Sequence, residues 1–321
     1  MLDVRDLRVV LPTARGPAAA LRGVSLSLGA GEKLGLIGES GCGKSLTALA
    51  LMGLLPEGAQ VEGSMRLSGQ ELVGLPDEAM ARLRGDRLAM VFQEPMTALN
   101  PLHTIGAQVA EPLRLHRGLD RSAARTEALR LLDRVKLPEA AKRLDAHPHQ
   151  LSGGQRQRVM IAMALACGPD LLIADEPTTA LDVTLQHEVL MLIDELVQGS
   201  GMALLLISHD LGVMARHVQR VAVMYGGAVV EAGPTAAVFG HLAHPYTQGL
   251  HAARPRLGAT RGTRLATIPG RVPELADLPP GCPFAERCAR AADDCRRAMP
   301  PEVAVGAEHM ARCLHLDVSV T

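Results

Sequence analysis

Aromatic residues are scarce in this chain of 321 residues, which contains no Trp, two Tyr and three Phe. Apolar residues nevertheless make up 47% of the chain, so the core must be aliphatic, built from Leu, Val, Ile, Ala and Met. An excess of positive charge is missing as well, because the formal net charge is −1. We therefore expect neither a nucleic acid nor a strongly anionic lipid surface as the main partner.

Long apolar runs are also missing. The longest, such as 48–55 and 202–207, are far shorter than the ~20 residues that a membrane-spanning helix needs. The first residues, Met1–Arg5, lack the basic flank and apolar run of a secretory signal. We expect a cytosolic chain that contacts a membrane only through a partner.

Short apolar strand patterns alternate with helical patterns through the first 254 residues, which predicts a mainly parallel sheet covered on both faces. Residues 104–150 are rich in Ala, Leu, Arg and Glu at helical spacing and predict a helical subdomain, extending to about 167, inserted between core strands. From residue 255 the periodicity disappears, and we predict a small Cys-rich domain over 255–321. Strands are predicted at 2–11, 24–28, 33–37, 61–67, 88–92, 171–174, 203–208, 221–225 and 228–231, and further helices at 44–54, 155–167, 183–197 and 211–217.

A glycine-rich segment between the strand at 33–37 and the helix at 44–54 fits G-x-x-x-x-G-K-[ST] in the setting that this motif requires. Glycines let backbone N–H groups curl around phosphate oxygens, Lys44 adds charge at the β and γ phosphates, and Ser45 ligates Mg²⁺. The predicted phosphate-binding residues are Gly38, Glu39, Ser40, Gly41, Cys42, Gly43, Lys44 and Ser45.

Two carboxylates, Asp175 and Glu176, end the apolar run at 171–174. Asp175 is placed to hold Mg²⁺, directly or through water. Glu176 is placed to take the proton from an attacking water, a role usually worth about 10²–10⁴ in rate. The alternative is that one carboxylate only caps the turn before Pro177. That role would suit an isolated Asp-Glu pair, but the phosphate loop in the same chain favours the catalytic role.

Three more polar residues lie at strand ends or at a helix start. Gln93 follows the strand at 88–92 and can contact Mg²⁺ or the water, and the alternative is an ordinary polar strand end. His209 follows the strand at 203–208, where its nitrogen can meet a γ-phosphate or simply cap the strand. Asp182 either lies at a dimer interface or starts the next helix as its N-cap.

A rarer signal is the turn made of Ser152, Gly153, Gly154 and Gln155, about twenty residues before Asp175. A serine hydroxyl and glycine N–H groups at the start of a helix bind an anion well. The turn is thus predicted to be half of an ATP site, to which a second copy of the chain, or a relative, brings the nucleotide.

Together these motifs resemble the ATP-binding-cassette (ABC) ATPases over residues 1 to about 250. The resemblance implies an α/β fold of the P-loop NTPase class, with a mixed sheet and an inserted helical subdomain. It implies a head-to-tail dimer with ATP between Gly38–Ser45 of one subunit and Ser152–Gln155 of the other. It also assigns Gln93 to coupling with a membrane partner and His209 to sensing the γ-phosphate.

Three longer segments resemble the dipeptide, oligopeptide and nickel importers within this family, namely 92–101, 174–184 and 244–250. The segment 159–164 resembles the D-type rather than the F-type ATPase subunit of these importers. This implies an ATPase that energises peptide import from the cytoplasmic face of the inner membrane. Its implied partners are an F-type ATPase subunit or a second copy, two transmembrane permeases and, indirectly, an extracytoplasmic solute-binding protein. Import of nickel or another small solute, and a soluble role such as cluster assembly, remain the alternatives.

One departure from that family concerns the nucleotide base. Its members usually stack adenine on an aromatic residue of the N-terminal strands, but this chain has no aromatic residue before Phe92. The guanidinium plane of Arg15 is one substitute. The alternative, a solvated loop charge, is slightly favoured.

Four of the six cysteines, Cys282, Cys288, Cys295 and Cys313, lie in the poorly periodic C-terminal segment. Their gaps are longer than the usual C-x₂₋₄-C pairs of zinc sites, and the Cys282-Pro283 step is similar to that found at 4Fe–4S clusters. The segment also resembles the C-terminal part of the peptide-importer ATPases. We predict a 4Fe–4S cluster on these four residues, with zinc, reduced thiols or a disulfide as alternatives.

Overall fold

The computed structural model describes residues 1–93, 98–179, 181–254 and 266–316. The strands are β1 (Leu2–Thr13), β2 (Gly16–Leu28), β3 (Lys33–Ile37), β4 (Gln60–Leu67), β5 (Gln70–Glu71), β6 (Leu88–Val91), β7 (Leu171–Asp175), β8 (Ala203–Ile207), β9 (Arg220–Tyr225), β10 (Ala228–Pro234), β11 (Val303–Gly306) and β12 (His309–Ala311). The helices are α1 (Lys44–Met52), α2 (Asp77–Leu83), α3 (Ile105–Arg117), α4 (Arg121–Arg134), α5 (Ala140–Arg143), α6 (Gly153–Ala164), α7 (Val183–Gln198), α8 (Leu211–His217), α9 (Thr235–Gly240) and α10 (Pro245–Ala252).

The central sheet has the strand order β11-β12-β10-β9-β3-β8-β7-β6 within the described residues. Strands β9, β3, β8, β7 and β6 run parallel, and β10, β12 and β11 add antiparallel pairs at one side. Every residue of β3, β7 and β8 is buried, as expected for parallel strands covered on both faces. The sheet is therefore mixed, with the predicted parallel core.

A second, antiparallel sheet has the order β2-β1-β4-β5. Strand β2 begins at Gly16 rather than at the predicted Val24, and its register with β1 runs from Leu2↔Leu28 to Thr13↔Gly16. The segment 16–23 is rich in Gly, Pro and Ala, so pairing with β1 rather than strand propensity makes it extended. Helix α2 was also absent from the sequence prediction.

Helices α3 to α6 form the inserted helical subdomain. Thr104 caps α3 by accepting a hydrogen bond from the backbone N–H of Ala107, and Asp120 caps α4 in the same way. Helix α6 begins at Gly153, two residues before the predicted start, because Ser152 is its N-cap. None of the described helices combines the length and hydropathy that crossing a bilayer requires.

The C-terminal segment shares the sheet and the core of the first 254 residues. Strand β12 pairs with β10 through Glu231↔Ala311 and Ala232↔Met310, and β11 pairs with β12. Cys282 and Phe284 belong to the same cluster of buried side chains as the helical subdomain. Strands of three and four residues are too short for sequence periodicity to reveal.

A buried hydrogen-bonded pair, Glu231 and His309, joins β12 to β10. The carboxylate of Glu231 accepts hydrogen bonds from the backbone N–H groups of Ala243 and His244, both at 2.9 Å. It also lies 2.8 Å from Nε2 of His309, and both side chains are almost fully buried. The side chain of His309 is therefore engaged at the junction between these two strands.

Candidate functional site

The glycine-rich loop lies between the end of β3 and the start of α1, as predicted. Gly38 lies so close to the backbone that an added Cβ would be 2.3 Å from the carbonyl oxygen of Met224. Gly43, the N-cap of α1, has a φ of 105°, a conformation that favours glycine. These two glycines allow the loop to turn tightly onto the helix.

Lys44 lies in the centre of this loop. Its buried Nζ donates hydrogen bonds to the carbonyl oxygens of Gly38, at 2.8 Å, and of Glu39, at 3.1 Å. Cys42 Sγ is 3.7 Å from the same nitrogen, and burial raises the pKa of the Cys42 thiol. The loop thus holds the ammonium group of Lys44 against its own backbone carbonyl oxygens.

Asp175 is the last residue of β7 and lies against the phosphate loop. Its Oδ1 accepts a hydrogen bond from the hydroxyl of Ser45 at 3.1 Å. Burial raises the pKa of Asp175, although the Ser45 hydrogen bond opposes the shift. A hydroxyl and a carboxylate oxygen at one point are the hard oxygen ligands that Mg²⁺ prefers. The chemistry of this pair therefore fits the predicted magnesium site.

Glu176 follows at once and is the centre of a polar cluster. One oxygen, Oε2, accepts hydrogen bonds from Thr179 Oγ1 at 2.9 Å and from Gln93 Nε2 at 3.2 Å. The other, Oε1, lies 3.3 Å from Nδ1 of His209. Glu176 also has a φ of 45°, an uncommon value for a residue other than glycine. Three contacts and a constrained backbone hold the carboxylate in one place.

Glu176 and His209 shift each other's pKa values in opposite directions. The hydrogen bond from His209 lowers the pKa of Glu176, and the same bond raises the pKa of His209. The Glu176 side chain is only 12% exposed, whereas that of His209 is 68% exposed. A carboxylate that stays ionised in a sheltered position is suited to accept a proton from water.

Sheet topology explains why these residues meet. The strands β3, β8, β7 and β6 are neighbours in the sheet and run parallel, so their carboxyl ends form one edge. The segments that follow them carry the phosphate loop, His209, the Asp175-Glu176 pair and Gln93, in that order. A pocket of about 370 Å³ opens at this edge and is lined by Leu11, Ala20, Ser40, Gly41, Gly43, Lys44, Ser45, Leu46, Gln93, Glu176 and Leu275.

The turn Ser152–Gln155 is not among the described residues that line this pocket. It forms a capping box, in which Ser152 Oγ accepts from the Gln155 backbone N–H and Gln155 Oε1 accepts from that of Ser152. A Cβ on Gly153 would lie 3.7 Å from Leu181, the residue before Asp182. Asp182 itself is the N-cap of α7. These two segments are thus neighbours, outside their own chain's phosphate pocket.

Two segments that the sequence prediction used are only partly described. Residues 94–97 of the importer-like segment 92–101, and residue 180 in the segment 174–184, lie outside the described residues.

The four C-terminal cysteines line one small cavity, and each is a free thiol. Burial, together with the other three thiols, raises the pKa of Cys282 to about 11. No three of the four sulfur atoms lie within 4.8 Å of one another. The group that does meet this distance, among the described residues, is Asp294, Cys295 and His315.

Contacts between the C-terminal segment and the phosphate loop were not predicted. The Arg287 guanidinium lies 2.6 Å from the Glu39 carboxylate and donates to Tyr225 Oη at 3.2 Å. Tyr246 Oη accepts a hydrogen bond from the Glu39 backbone N–H. Tyr225 packs edge to face against Tyr246 and Phe284, which are tilted against each other, and the ring centroids lie 4.6–5.3 Å apart. Three of the five aromatic residues of the chain are therefore concentrated beside the phosphate loop.

A phosphate loop, an acidic strand end and a Ser-Gly-Gly-Gln helix start outside the same pocket together define the class of ABC ATPases. Residues 21–179 match the family model described as ABC transporter. Residues 230–295 match the model described as oligopeptide/dipeptide transporter, C-terminal region.

Whole-chain relatives agree with these matches. The chain is 50% identical to a Brucella melitensis protein named as a peptide import ATP-binding protein, over 98% of this chain and 96% of that one. It is 49% identical to the oligopeptide transport ATP-binding protein OppD of Salmonella typhimurium, over 94% and 90%. The fold is similar to the ATP-binding cassette MJ0796, solved as a dimer bound to ADP and Pi, with a TM-score of 0.66 and 30% identity over 73% of this chain and 99% of that one. This chain belongs to the ATP-binding proteins of ABC transporters, and the predicted family resemblance is confirmed.

Proposed function

We propose that this protein is the ATPase subunit that energises import of oligopeptides by an ABC transporter. The observation that carries this proposal is the combination, in one chain, of a cassette and a segment that matches the oligopeptide/dipeptide transporter C-terminal region. The names of the relatives from Brucella melitensis and Salmonella typhimurium support peptides as the solute.

The geometry of the pocket supports a hydrolytic role for each of its polar residues. The loop Gly38–Ser45 binds the phosphates, with Lys44 at the β and γ positions. Ser45, Gln93 and Asp175 would hold Mg²⁺, which would neutralise the charge of the phosphates. Glu176 accepts the proton of the attacking water, because it is the sheltered carboxylate that three contacts orient. His209 contacts the γ-phosphate through its exposed ring.

The active assembly is a head-to-tail dimer with a second ABC ATPase, either an F-type subunit or a second copy. Ser152–Gln155 of one subunit completes the pocket of the other, and Asp182 lies at the interface. Support comes from the absence of this turn from its own chain's pocket and from the dimeric MJ0796 cassette. The dimer would sit at the cytoplasmic face of the inner membrane on two permeases, which receive solute from an extracytoplasmic binding protein.

Deletion of the gene tests the transported solute. We expect loss of uptake of a labelled tripeptide and unchanged uptake of labelled nickel, with the wild-type chain restoring peptide uptake. Loss of nickel uptake alone would assign the chain to a nickel importer. Unchanged uptake of both, together with failure to purify with membrane permeases, would contradict an import role.

The head-to-tail arrangement makes a prediction about Ser152. Ser152→Asp retains a good N-cap, so α6 should stay folded, but its negative charge faces the γ-phosphate brought by the other subunit. We expect the variant alone to lose most ATPase activity. If the chain dimerises with itself, mixing Ser152→Asp with Glu176→Gln should restore activity, because one composite site then has both intact halves.

The measurement is ATPase turnover of the mixture against that of each variant alone. A rise on mixing supports sites shared between subunits. With an F-type partner, the same substitution should abolish hydrolysis at the partner's site and not at Glu176. Loss confined to this chain's own Glu176 site would contradict the arrangement.

The four C-terminal cysteines are proposed to hold a 4Fe–4S cluster. All four line one cavity and none forms a disulfide. Sulfur ligands of a tetrahedral Zn²⁺ lie about 3.8 Å apart, given a Zn–S distance of about 2.3 Å. The gaps between the four cysteines along the chain, which are longer than the C-x₂₋₄-C pairs usual at zinc sites, support the cluster instead. The cluster would supply iron–thiolate bonds that hold together a segment of little regular structure.

Cys288→Ser tests the cluster. We expect loss of iron, of acid-labile sulfide and of visible absorption in the purified protein, because the variant lacks one of four ligands. The control is Cys167→Ser, which replaces a buried thiol in the helical subdomain and should leave the iron content unchanged. Wild-type protein that contains zinc and no iron, or a variant that keeps its iron, would contradict the cluster.

A further inference from the structure

The wall of the nucleotide pocket beyond the phosphate loop is made of aliphatic side chains. Leu11 of β1 and Ala20 of β2 line it, and so does Leu275, which comes from the C-terminal segment. The other lining residues belong to the phosphate loop, to the first turn of α1 and to the polar cluster around Glu176. A nucleotide with its phosphates on Lys44 would therefore extend its base toward the aliphatic wall.

Leu275 is held at this wall by an ion pair and a hydrogen bond between its segment and the β1–β2 hairpin. Arg15, in the hairpin turn, donates to both carboxylate oxygens of Asp277, at 2.9 and 2.6 Å. Arg22 of β2 donates to the carbonyl oxygen of Pro279 at 2.8 Å. Two arginines on one hairpin thus position the short turn Leu275–Asp277 over the pocket. The guanidinium of Arg15 is engaged by Asp277, which argues against its use as a stacking surface for adenine.

A second attachment joins the same segment to the phosphate loop. Arg287 is buried and pairs with Glu39 through both of its terminal nitrogens, at 2.6 and 3.2 Å. Its Nε donates to the carbonyl oxygen of Pro269 at 2.8 Å. Pro269 and Arg287 lie on either side of Leu275 in the sequence, so the segment that carries Leu275 is tied at both ends.

We propose that Leu275 packs on the base of ATP, which makes the C-terminal segment a part of the nucleotide site. The proposal rests on the ATP-binding role proposed above. A purine base has two large faces that gain by leaving water, and the pocket offers them Leu11, Ala20 and Leu275 in place of an aromatic ring. The C-terminal segment then takes over a function that the N-terminal strands do not supply alone.

The test compares two ligands that differ in the base. Leu275→Ser should weaken binding of the β,γ-imido analogue of ATP by about five- to tenfold, since one aliphatic contact is lost. Binding of inorganic tripolyphosphate, which contacts only the phosphate loop, should be unchanged. The control is Val303→Ser on β11, a partly exposed valine of the same segment away from the pocket. Titration calorimetry on the full chain gives both dissociation constants.

Three outcomes overturn the proposal. Unchanged affinity for the ATP analogue would mean that Leu275 does not touch the base. Equal weakening of both ligands would mean that Leu275 acts only through the loop or the fold. A wild-type chain that binds tripolyphosphate and the ATP analogue equally well would mean that the base is not held. Failure of the wild-type chain to bind either ligand would instead contradict the ATP-binding role itself.

Arg15 acts as a positioning residue in this arrangement. Arg15→Asp should weaken binding of the ATP analogue and leave tripolyphosphate binding unchanged, because Leu275 loses its anchor. The double variant Arg15→Asp with Asp277→Arg restores an opposite-charge pair and should recover affinity for the analogue. Absence of recovery, in a variant that still binds tripolyphosphate, would show that this ion pair does not position Leu275.

Discussion

Replacement of Glu176 by Gln is expected to lower ATP hydrolysis by about 10²- to 10⁴-fold while ATP still binds. A glutamine has the shape of the glutamate and can still accept the hydrogen bonds from Thr179 and Gln93. It is neutral, however, and has no basic oxygen for the proton of the attacking water. ATP should therefore accumulate in the site, and the dimer should persist for as long as its nucleotide is uncleaved.

Two measurements check this expectation. Phosphate release gives turnover, and size-exclusion chromatography with ATP gives the dimer fraction. Glu57→Gln, which neutralises an exposed carboxylate after α1, is the control and should retain wild-type turnover. Undiminished turnover in Glu176→Gln would contradict the role of Glu176 as the base.

The Glu176→Gln variant should also change the pKa of His209, which can be measured without an activity assay. Glu176 raises the pKa of His209, mainly through their hydrogen bond, so removal of the negative charge should lower the pKa of His209 toward its ordinary value. A proton NMR titration of the His209 ring in the variant and the wild type measures the change. An unchanged pKa would show that the two side chains do not interact in solution.

Replacement of His309 by Leu is expected to lower the free energy of unfolding by about 3–5 kcal/mol. His309 is a buried partner of the Glu231 carboxylate, at 2.8 Å, and leucine has no hydrogen-bond donor. Two backbone N–H groups would remain as donors to Glu231, but the buried charge would lose its side-chain partner. Because His309 lies on β12, the loss should act first on the junction between the C-terminal segment and β10.

Urea unfolding followed by far-ultraviolet circular dichroism measures this effect, which suits a chain without Trp. His309→Gln is the matched control: its amide can donate to Glu231, so its loss of stability should be clearly smaller. Equal stability of His309→Leu and the wild type would contradict the structural role of the pair. A greater loss for Gln than for Leu would also contradict it.

The residues proposed for the ATP site could be selected from the sequence because each belongs to a local pattern. Gly38–Ser45 follows a buried strand and precedes a helix, and Asp175-Glu176 ends an apolar run, so short segments are enough to identify them. His209 and Gln93 carry little signal alone, and their position relative to the other motifs made them candidates. Parallel strands end at one edge of the sheet, which brings these four segments together.

The contacts of the C-terminal segment carried no comparable signal. The Arg287–Glu39 pair joins residues 248 positions apart, and the Arg15–Asp277 pair joins residues 262 apart. Neither arginine differs in type or spacing from a solvated surface charge. From the sequence, Arg15 was expected either to stack on adenine or to stay solvated. A carboxylate partner was not considered, because no helix or strand was predicted around Asp277.

The sequence by itself determined the chemistry of this protein: a phosphate loop, an acidic strand end and a Ser-Gly-Gly-Gln turn are short motifs whose backbone and side-chain requirements are local. Only the tertiary structure decided what surrounds them. Strand β12 joins the central sheet, three of the few aromatic residues gather beside Glu39, and Leu275 reaches the pocket. The physical reason is that long-range contacts depend on which buried surfaces and charged groups meet once the chain has folded. The periodicity of residues along the chain does not contain that information.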